Sequence, residues 1–320
     1  LSVSALAEPM EAVDGGGVII VSALRTPTPV DTIASSLTVI DNRTIDASQA
    51  PVVSDLLVRT PGISFTRNGG YGTATSIRIR GAEGDQTVLV IDGVKLADPS
   101  STGGGYNFAT LMTGDIDQLE ILRGPQSILW GSQAIGGVVN IVTATPDRAL
   151  EASADIEAGS RDTVNSRTAV GGRSGPVHWR VAGGRFTTEG ISAISPRFGG
   201  KERDGYINST LNGRVGIALS PGISVDLRGY YAKGRADIDS AGSVPDSPEY
   251  SLVEEWTSYA GLNADLFDGA LRNRLGFSRS ETVRDNRNPL RRVRPQSFAA
   301  KGQTDRYEYQ GSLGLAQGWT

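Results

Sequence analysis

Leu119-Glu-Ile-Leu-Arg-Gly-Pro-Gln-Ser-Ile-Leu-Trp-Gly-Ser-Gln-Ala-Ile-Gly-Gly-Val-Val-Asn-Ile-Val-Thr143 decides the reading of this chain. It is a dense string of backbone constraints, with Gly124-Pro125, Gly131 and Gly136-Gly137 set among apolar residues. After Thr143 the sequence changes character. It becomes segments of about ten residues with alternating polarity, separated by turn residues, the pattern of strands that cross a membrane as a barrel. A compact Gly-rich domain followed by such hairpins predicts a barrel with a separate domain folded inside it.

Alternation is plain at Val177-Trp179-Val181, Ile223-Val225-Leu227, Trp256-Ala260-Leu262, Leu271-Leu275-Phe277 and Tyr307-Tyr309-Leu313-Leu315. Residues 149–159, 163–172 and 206–219 complete a set of about eight strands of the usual barrel length. Short connections fall at 174–176, 220–222 and 267–269, and long polar ones at 189–203, 237–248 and 286–302. Beyond the first hairpin, short and long alternate, as in transmembrane barrels with short periplasmic turns and long outer loops. A barrel of about eight strands is filled by its own side chains and could not house a plug. The expectation is therefore the N-terminal part of a larger barrel.

Toward the N-terminus, residues 30–145 read as a small α+β domain. Leu37-Thr-Val-Ile40 is a short strand, and Val52, Val53, Leu56 and Leu57 lie at helical spacing before the Thr60-Pro61-Gly62 stop. Ser76-Ile-Arg-Ile-Arg80 alternates, and Asp92-Gly93 joins 88–91 to 94–96 as a hairpin. Residues 67–72 and 100–107 are Gly-rich loops, each with one tyrosine. Residues 8–29 form a flexible lead. Within it Val18-Ile-Ile-Val-Ser-Ala23 is either the first strand of the next domain or an exposed strand open to pairing with another protein. Ala5-Leu6-Ala7 before Glu8-Pro9 reads as the end of a signal peptide, so residues 1–7 are its remnant.

Composition closes several routes. Hydrophobic residues make up 38% of the 320, with mean hydropathy −0.19, and no apolar run reaches the ~18 residues of a helical span. Cysteine is absent and His178 is the single histidine, set between Val177 and Trp179 as a sheet-face residue. The formal charge of −4 comes with scattered arginines, against nucleic-acid binding. Gly200-Lys201 is followed by Glu202, and Ser195 stands where a phosphate loop needs its first glycine. Any energy must come from a partner.

Four segments in order across 18–143 resemble the plug of TonB-dependent outer-membrane receptors. They are Asp55-Leu-Leu-Val-Arg-Thr-Pro-Gly-Ile63, Ile77-Arg-Ile-Arg-Gly81, Val88-Leu-Val-Ile-Asp-Gly-Val94, and Ile121-Leu-Arg-Gly-Pro-Gln-Ser through Gly136-Gly-Val-Val-Asn-Ile-Val142. Within that family the chain is most similar to the vitamin B12 (cobalamin) transporters, through Asp204-Gly-Tyr-Ile-Asn-Ser-Thr210 and Arg228-Gly-Tyr-Tyr-Ala232. The resemblance implies a transmembrane antiparallel β-barrel of the roughly 22-stranded type. Its first eight or so strands would span 146–320, with the α+β plug of 30–145 in the lumen.

The resemblance also implies functional residues. Val18, Ile19, Ile20, Val21, Ser22 and Ala23 become the TonB box, which pairs edge-on with a strand of the periplasmic TonB protein. The loops at 67–74 and 99–108 become apical and ligand-contacting, with Asn68, Gly69, Gly70, Tyr71, Gly72, Ser101, Gly104, Tyr106 and Asn107 as candidates. Glu202, Asp204, Asp239 and Asp246 match acidic members of a cluster that binds calcium in cobalamin transporters, although one family aspartate falls near Ser192 here. No cofactor is otherwise required. Asp237-x-Asp239 starts like an EF-hand loop, but Pro248 takes its twelfth position, so the competing reading is a solvated acidic loop. Arg78, Arg80 and Arg123 are expected to bridge plug and barrel wall.

Active, TonB-energised uptake of cobalamin across the bacterial outer membrane is the function this implies. Ferric-siderophore uptake is the same-fold alternative, since plug motifs are shared. A passive porin or an adhesin would lack the plug and the coupling box. An enzyme would need a base or carboxylate pair that the chain does not display, since Asp92 serves a turn.

Overall fold

Burial with a period of two, on one face or on both, separates the two halves of the molecule. The computed structural model describes residues 20–25, 28–101, 103–239 and 247–314. Ile20–Val21 (β1) and Thr28–Pro29 (β2) pair as a short antiparallel ladder that joins no larger sheet. Residues 20–21 are therefore not the first strand of the next domain's sheet, and Val18 and Ile19 lie outside the described residues, as do residues 1–7.

The plug contains Ser36–Asp41 (β3), Asn42–Ser48 (α1), Val53–Leu57 (α2), Ile63–Arg67 (β4), Thr75–Ile79 (β5), Thr87–Ile91 (β6), Val94–Leu96 (β7), Ile116–Arg123 (β8), Ser127–Trp130 (α3) and Gly137–Thr143 (β9). Its sheet runs β3-β8-β9-β6-β7, antiparallel except for β6 against β9. The apolar runs in the opening motif do not alternate because this sheet is buried on both faces. Leu89, Leu119, Ile121, Val139 and Ile141 enter one core. Val88, Val90, Leu122 and Val138 enter the other, with Trp130 and Ala134. Each such fully buried side chain contributes about 2 kcal/mol of transfer free energy. Helix α1 had no periodic signature, yet Asp41 caps it by accepting from Thr44 N at 2.9 Å. The β6–β7 hairpin turns as expected, with Asp92 at φ 49° and Gly93 at φ 80°.

Eight antiparallel strands follow as a meander: Glu151–Gly159 (β10), Thr163–Ser174 (β11), Val177–Thr188 (β12), Tyr206–Ser220 (β13), Ile223–Ile238 (β14), Glu249–Leu266 (β15), Leu271–Arg287 (β16) and Gln296–Leu313 (β17). Direct register links Trp179, Val215, Leu227, Ala260, Phe277 and Tyr307 in one outward row. Outward side chains are exposed although apolar, such as Ile156 at 79% and Leu211 at 52%, which suits a lipid-facing surface. The alternate positions turn inward onto the plug. Long connections at 189–205, 239–248 and 288–295 crowd one end, and two- to four-residue turns the other. No helix among the described residues is long and apolar enough to cross a membrane.

Lys95 of β7 gives a test of plug energetics. Its Nζ donates to Trp130 O at 3.0 Å inside the plug. Burial, then Arg306 and Arg25, pull its pKa down to about 8. Folding therefore disfavours the charged form, and the penalty is fully present below pH 8. It is relieved as pH climbs from 8 toward the ordinary lysine value. Lys95→Met should stabilise the plug at pH 7 by on the order of 2 kcal/mol, and that gain should shrink by pH 10. Urea unfolding of both proteins at the two pH values measures it. An equal difference at both would refute the shift.

Candidate functional site

Three constellations stand out, one at the loop-rich end, one at the plug's N-terminal lead and one along the plug–wall seam. At the loop-rich end the plug loop 68–72 lies beneath the wall loop 189–205. Asn68 and Gly69 are exposed, and Tyr71 is half-buried, donating to Asp55 Oδ2 at 3.2 Å with its ring edge-on to Phe186. Gly72 is packed so tightly that a Cβ would lie 2.1 Å from the Tyr206 ring. Tyr206 is 1% exposed and donates to Ala109 O at 3.1 Å, which locks wall to plug.

The second apical loop is placed differently. Ser101 and Gly104 are partly exposed. Tyr106 is 5% exposed and its hydroxyl donates to Glu255 Oε1 at 2.9 Å. Thr110 donates to the same carboxylate. Burial, with the Glu255 charge, pushes the Tyr106 hydroxyl well up, so it remains a donor. Asn107 accepts from Thr75 N at 2.9 Å. Tyr106 and Asn107 thus brace the loop, while Asn68–Gly70, Tyr71, Ser101 and Gly104 have access to the outside.

Glu202, Asp204 and Asp239 converge, each offering a carboxylate oxygen within 4.8 Å of the others. Asp204 accepts from Ala193 N at 2.6 Å and Asp239 from Ser247 N at 3.2 Å. The buried Asp239 Oδ2 has no hydrogen-bond donor among the described residues. An orphaned oxygen in an all-oxygen donor set fits a hard cation such as calcium. Asp246 lies outside the described residues.

At the lead, Ser22 and Ala23 are clasped by the plug. The Glu120 carboxylate accepts from Ser22 N at 3.0 Å and Ala23 N at 2.7 Å. Asn140 and Gln118 each donate to it at 2.9 Å. Trp130 Nε1 donates to Ala23 O at 2.7 Å, and Arg25 lies over the Trp130 ring and 3.6 Å from Glu308. Glu120 is fully buried, and burial raises its pKa against the opposing pull of its amide donors. Sequence reasoning passed over this clasp. Its signal was Glu120 and Asn140 interrupting two apolar runs in directly paired positions.

The expected plug–wall arginines are corrected. Arg123 donates to Pro61 O at 3.0 Å and Thr38 Oγ1 at 2.8 Å, and Arg78 to Thr66 Oγ1, all inside the plug, while Arg80 is exposed. Arg78 and Arg123 sit beside acceptors of the plug itself, which satisfy them first. Wall arginines make the crossings instead, including Arg180 to Asp115 at 2.6 Å and Arg284 to Asp98.

Comparison with known proteins fits this architecture. Residues 29–138 match the family described as TonB-dependent Receptor Plug Domain. The chain is similar to the vitamin B12 transporter BtuB of Photobacterium profundum, 30% identical over 292 residues, covering 90% of this chain and 46% of that one. BtuB of Vibrio vulnificus is 33% identical over 183 residues, 57% of this chain and 30% of the relative. The chain thus spans less than half the length of these relatives. Among solved structures, the alcaligin outer-membrane receptor FauA of Bordetella pertussis superposes with TM-score 0.69 at 18% identity, over 91% of this chain and 46% of that one. With a plug that the family description matches over 29–138 and a strand meander that superposes on a solved receptor, the chain carries a TonB-dependent receptor plug domain ahead of a barrel wall, and it is similar in sequence to the vitamin B12 transporters.

Proposed function

We propose that this chain forms the plug and part of the barrel of an outer-membrane receptor that takes up cobalamin at the expense of energy delivered by TonB. The observation that carries the substrate is the 30% identity to a vitamin B12 transporter across 90% of the chain, wall strands included. The siderophore receptors among the solved structures share the fold alone. In this reading cobalamin rests on Asn68–Gly70, Tyr71, Ser101 and Gly104. TonB engages residues 18–23 and the plug is remodelled. The protein's part is binding and gating, with no covalent step.

Calorimetric titration of the full-length, detergent-folded receptor with cyanocobalamin is the test. Saturable binding supports the reading, and its absence with retained fold moves the substrate to a ferric chelate.

Glu202, Asp204 and Asp239 would hold calcium, which would pin the loops at 189–205 and around 239 over the ligand. Calcium at a hundredfold excess over its Kd should then stabilise the receptor by about 2.7 kcal/mol. Asp239→Asn should remove most of that gain. Thermal unfolding with calcium and with chelator decides it: no shift in the parent protein would dismiss the ion.

A further inference from the structure

Three arginines stand directly opposite one another across neighbouring wall strands, on the lumen side. Arg180 on β12 pairs with Arg214 on β13, and Arg214 with Arg228 on β14. Like charges in directly paired positions destabilise a sheet. Much of the countercharge belongs to the plug, whose Asp92 and Asp115 line the same cavity, so it leaves when the plug leaves. Arg180 meets Asp115 of the plug at 2.6 Å. Arg214 donates to Thr145 Oγ1 at 2.9 Å and Thr143 O at 3.4 Å, both neutral acceptors of the plug. Arg228 donates to the plug carbonyl of Asp92 and lies 3.6 Å from Asp226 of its own strand. Arg228 Nε is buried without an acceptor among the described residues, as is Arg274 Nη2 nearby.

Space leads to this ladder. A polar cleft of about 250 Å³ separates the plug from β10–β13, lined by Asp115, Thr168, Arg167, Arg180 and Asn212. Asp115, Arg180 and Asn212 also line the next cavity, which contains Arg214 and Arg228. The Arg180–Asp115 ion pair therefore sits between the two. A wall built only to grip the plug would need no charge at Arg214, whose plug acceptors are neutral. An aligned cationic strip costs stability and makes sense where negative charge must be met in a low-dielectric passage.

We propose that the Arg180–Arg214–Arg228 ladder is an anion-transit site, unmasked when the plug withdraws Asp115 and its neutral acceptors, that receives a phosphate or carboxylate group of the passing ligand. It rests on the plug-and-barrel reading but not on cobalamin. The chemistry is that of guanidinium forks, which take either anion through paired hydrogen bonds.

The test is the ion selectivity of the full-length receptor in planar bilayers, in a potassium chloride gradient, with urea added to loosen the plug. The parent channel should prefer chloride. In R180Q/R214Q/R228Q the chloride-to-potassium permeability ratio should fall about threefold or more, toward parity, whereas the triple lysine variant should keep the preference. The single Arg214→Gln variant, which loses only neutral acceptors, should fold and give an intermediate ratio. A parent channel without anion preference, a loosened plug that passes no current, or an unchanged ratio in the glutamine variants would overturn the proposal. Because chloride and potassium are the probes, failure to bind cobalamin leaves this result readable, and an unselective channel leaves the cobalamin titration untouched.

Discussion

Gly137→Ala should cost the plug about 4 kcal/mol, most of what a domain of this size has to spare. Gly137 opens β9 at φ +156°, and a Cβ there would lie 2.3 Å from Leu122 O and 3.0 Å from Ile79 Cδ1. The carbonyl belongs to β8, whose Arg123 pairs directly with Gly137, so neither backbone can retreat without opening the ladder. The ladder is central, since β9 also pairs with β6. Gly81→Ala is the matched control. Gly81 has φ +78° but nothing within 4 Å of a built Cβ, so it should show backbone strain alone, about 1 kcal/mol. Urea unfolding of both variants separates clash from strain. A Gly137→Ala receptor within 1 kcal/mol of the parent would contradict this account.

That prediction comes from the stretch in which the fold was most legible, because there backbone constraint is written into residue type. Glycines mark where strands approach or turn, and Asp92-Gly93 announced its hairpin. Most wall strands were equally legible, since lipid outside and plug inside impose a period of two. What stayed hidden was whatever depends on a partner distant in sequence. Tyr106 looked like a ligand-contacting tyrosine amid small polar residues, yet Glu255, 149 positions away, takes its hydroxyl inside the protein. Arg78 and Arg123 had the right charge to bridge plug and wall, but nearer acceptors claimed them. The acidic triad was found only through resemblance. Its convergence depends on 189–205 and the start of 239–248 leaving adjacent wall strands at the same end.

Glu120 is the residue where packing and gating meet, and Glu120→Ala should release residues 22–25 from the plug. One fully buried carboxylate accepts two main-chain amides of the lead together with Asn140 and Gln118. Hydrogen bonds to a charged acceptor contribute roughly 1.5–3 kcal/mol each. Losing the pair from Ser22 and Ala23 should lower the clasped population relative to the freed one by at least about a hundredfold. Glu120→Gln should release the lead too, because its amide would place a donor among donors. Breaking the peripheral Arg25–Glu308 ion pair with Glu308→Ala should matter less, under about 1 kcal/mol. These 320 residues contain no cysteine, and a nitroxide on a cysteine introduced at position 24, whose leucine packs against the plug core, reports on the clasped segment. Its spectrum should shift from immobilised to mobile in Glu120→Ala and stay mostly immobilised in Glu308→Ala. Because residues 18–23 are the segment proposed to meet TonB, the freed variant should also bind a soluble TonB C-terminal domain more tightly than the parent. An immobilised spectrum in Glu120→Ala would mean that Trp130 and Arg25 hold the lead without the carboxylate. Release without tighter TonB binding would leave the clasp in place as structure and remove it as a gate.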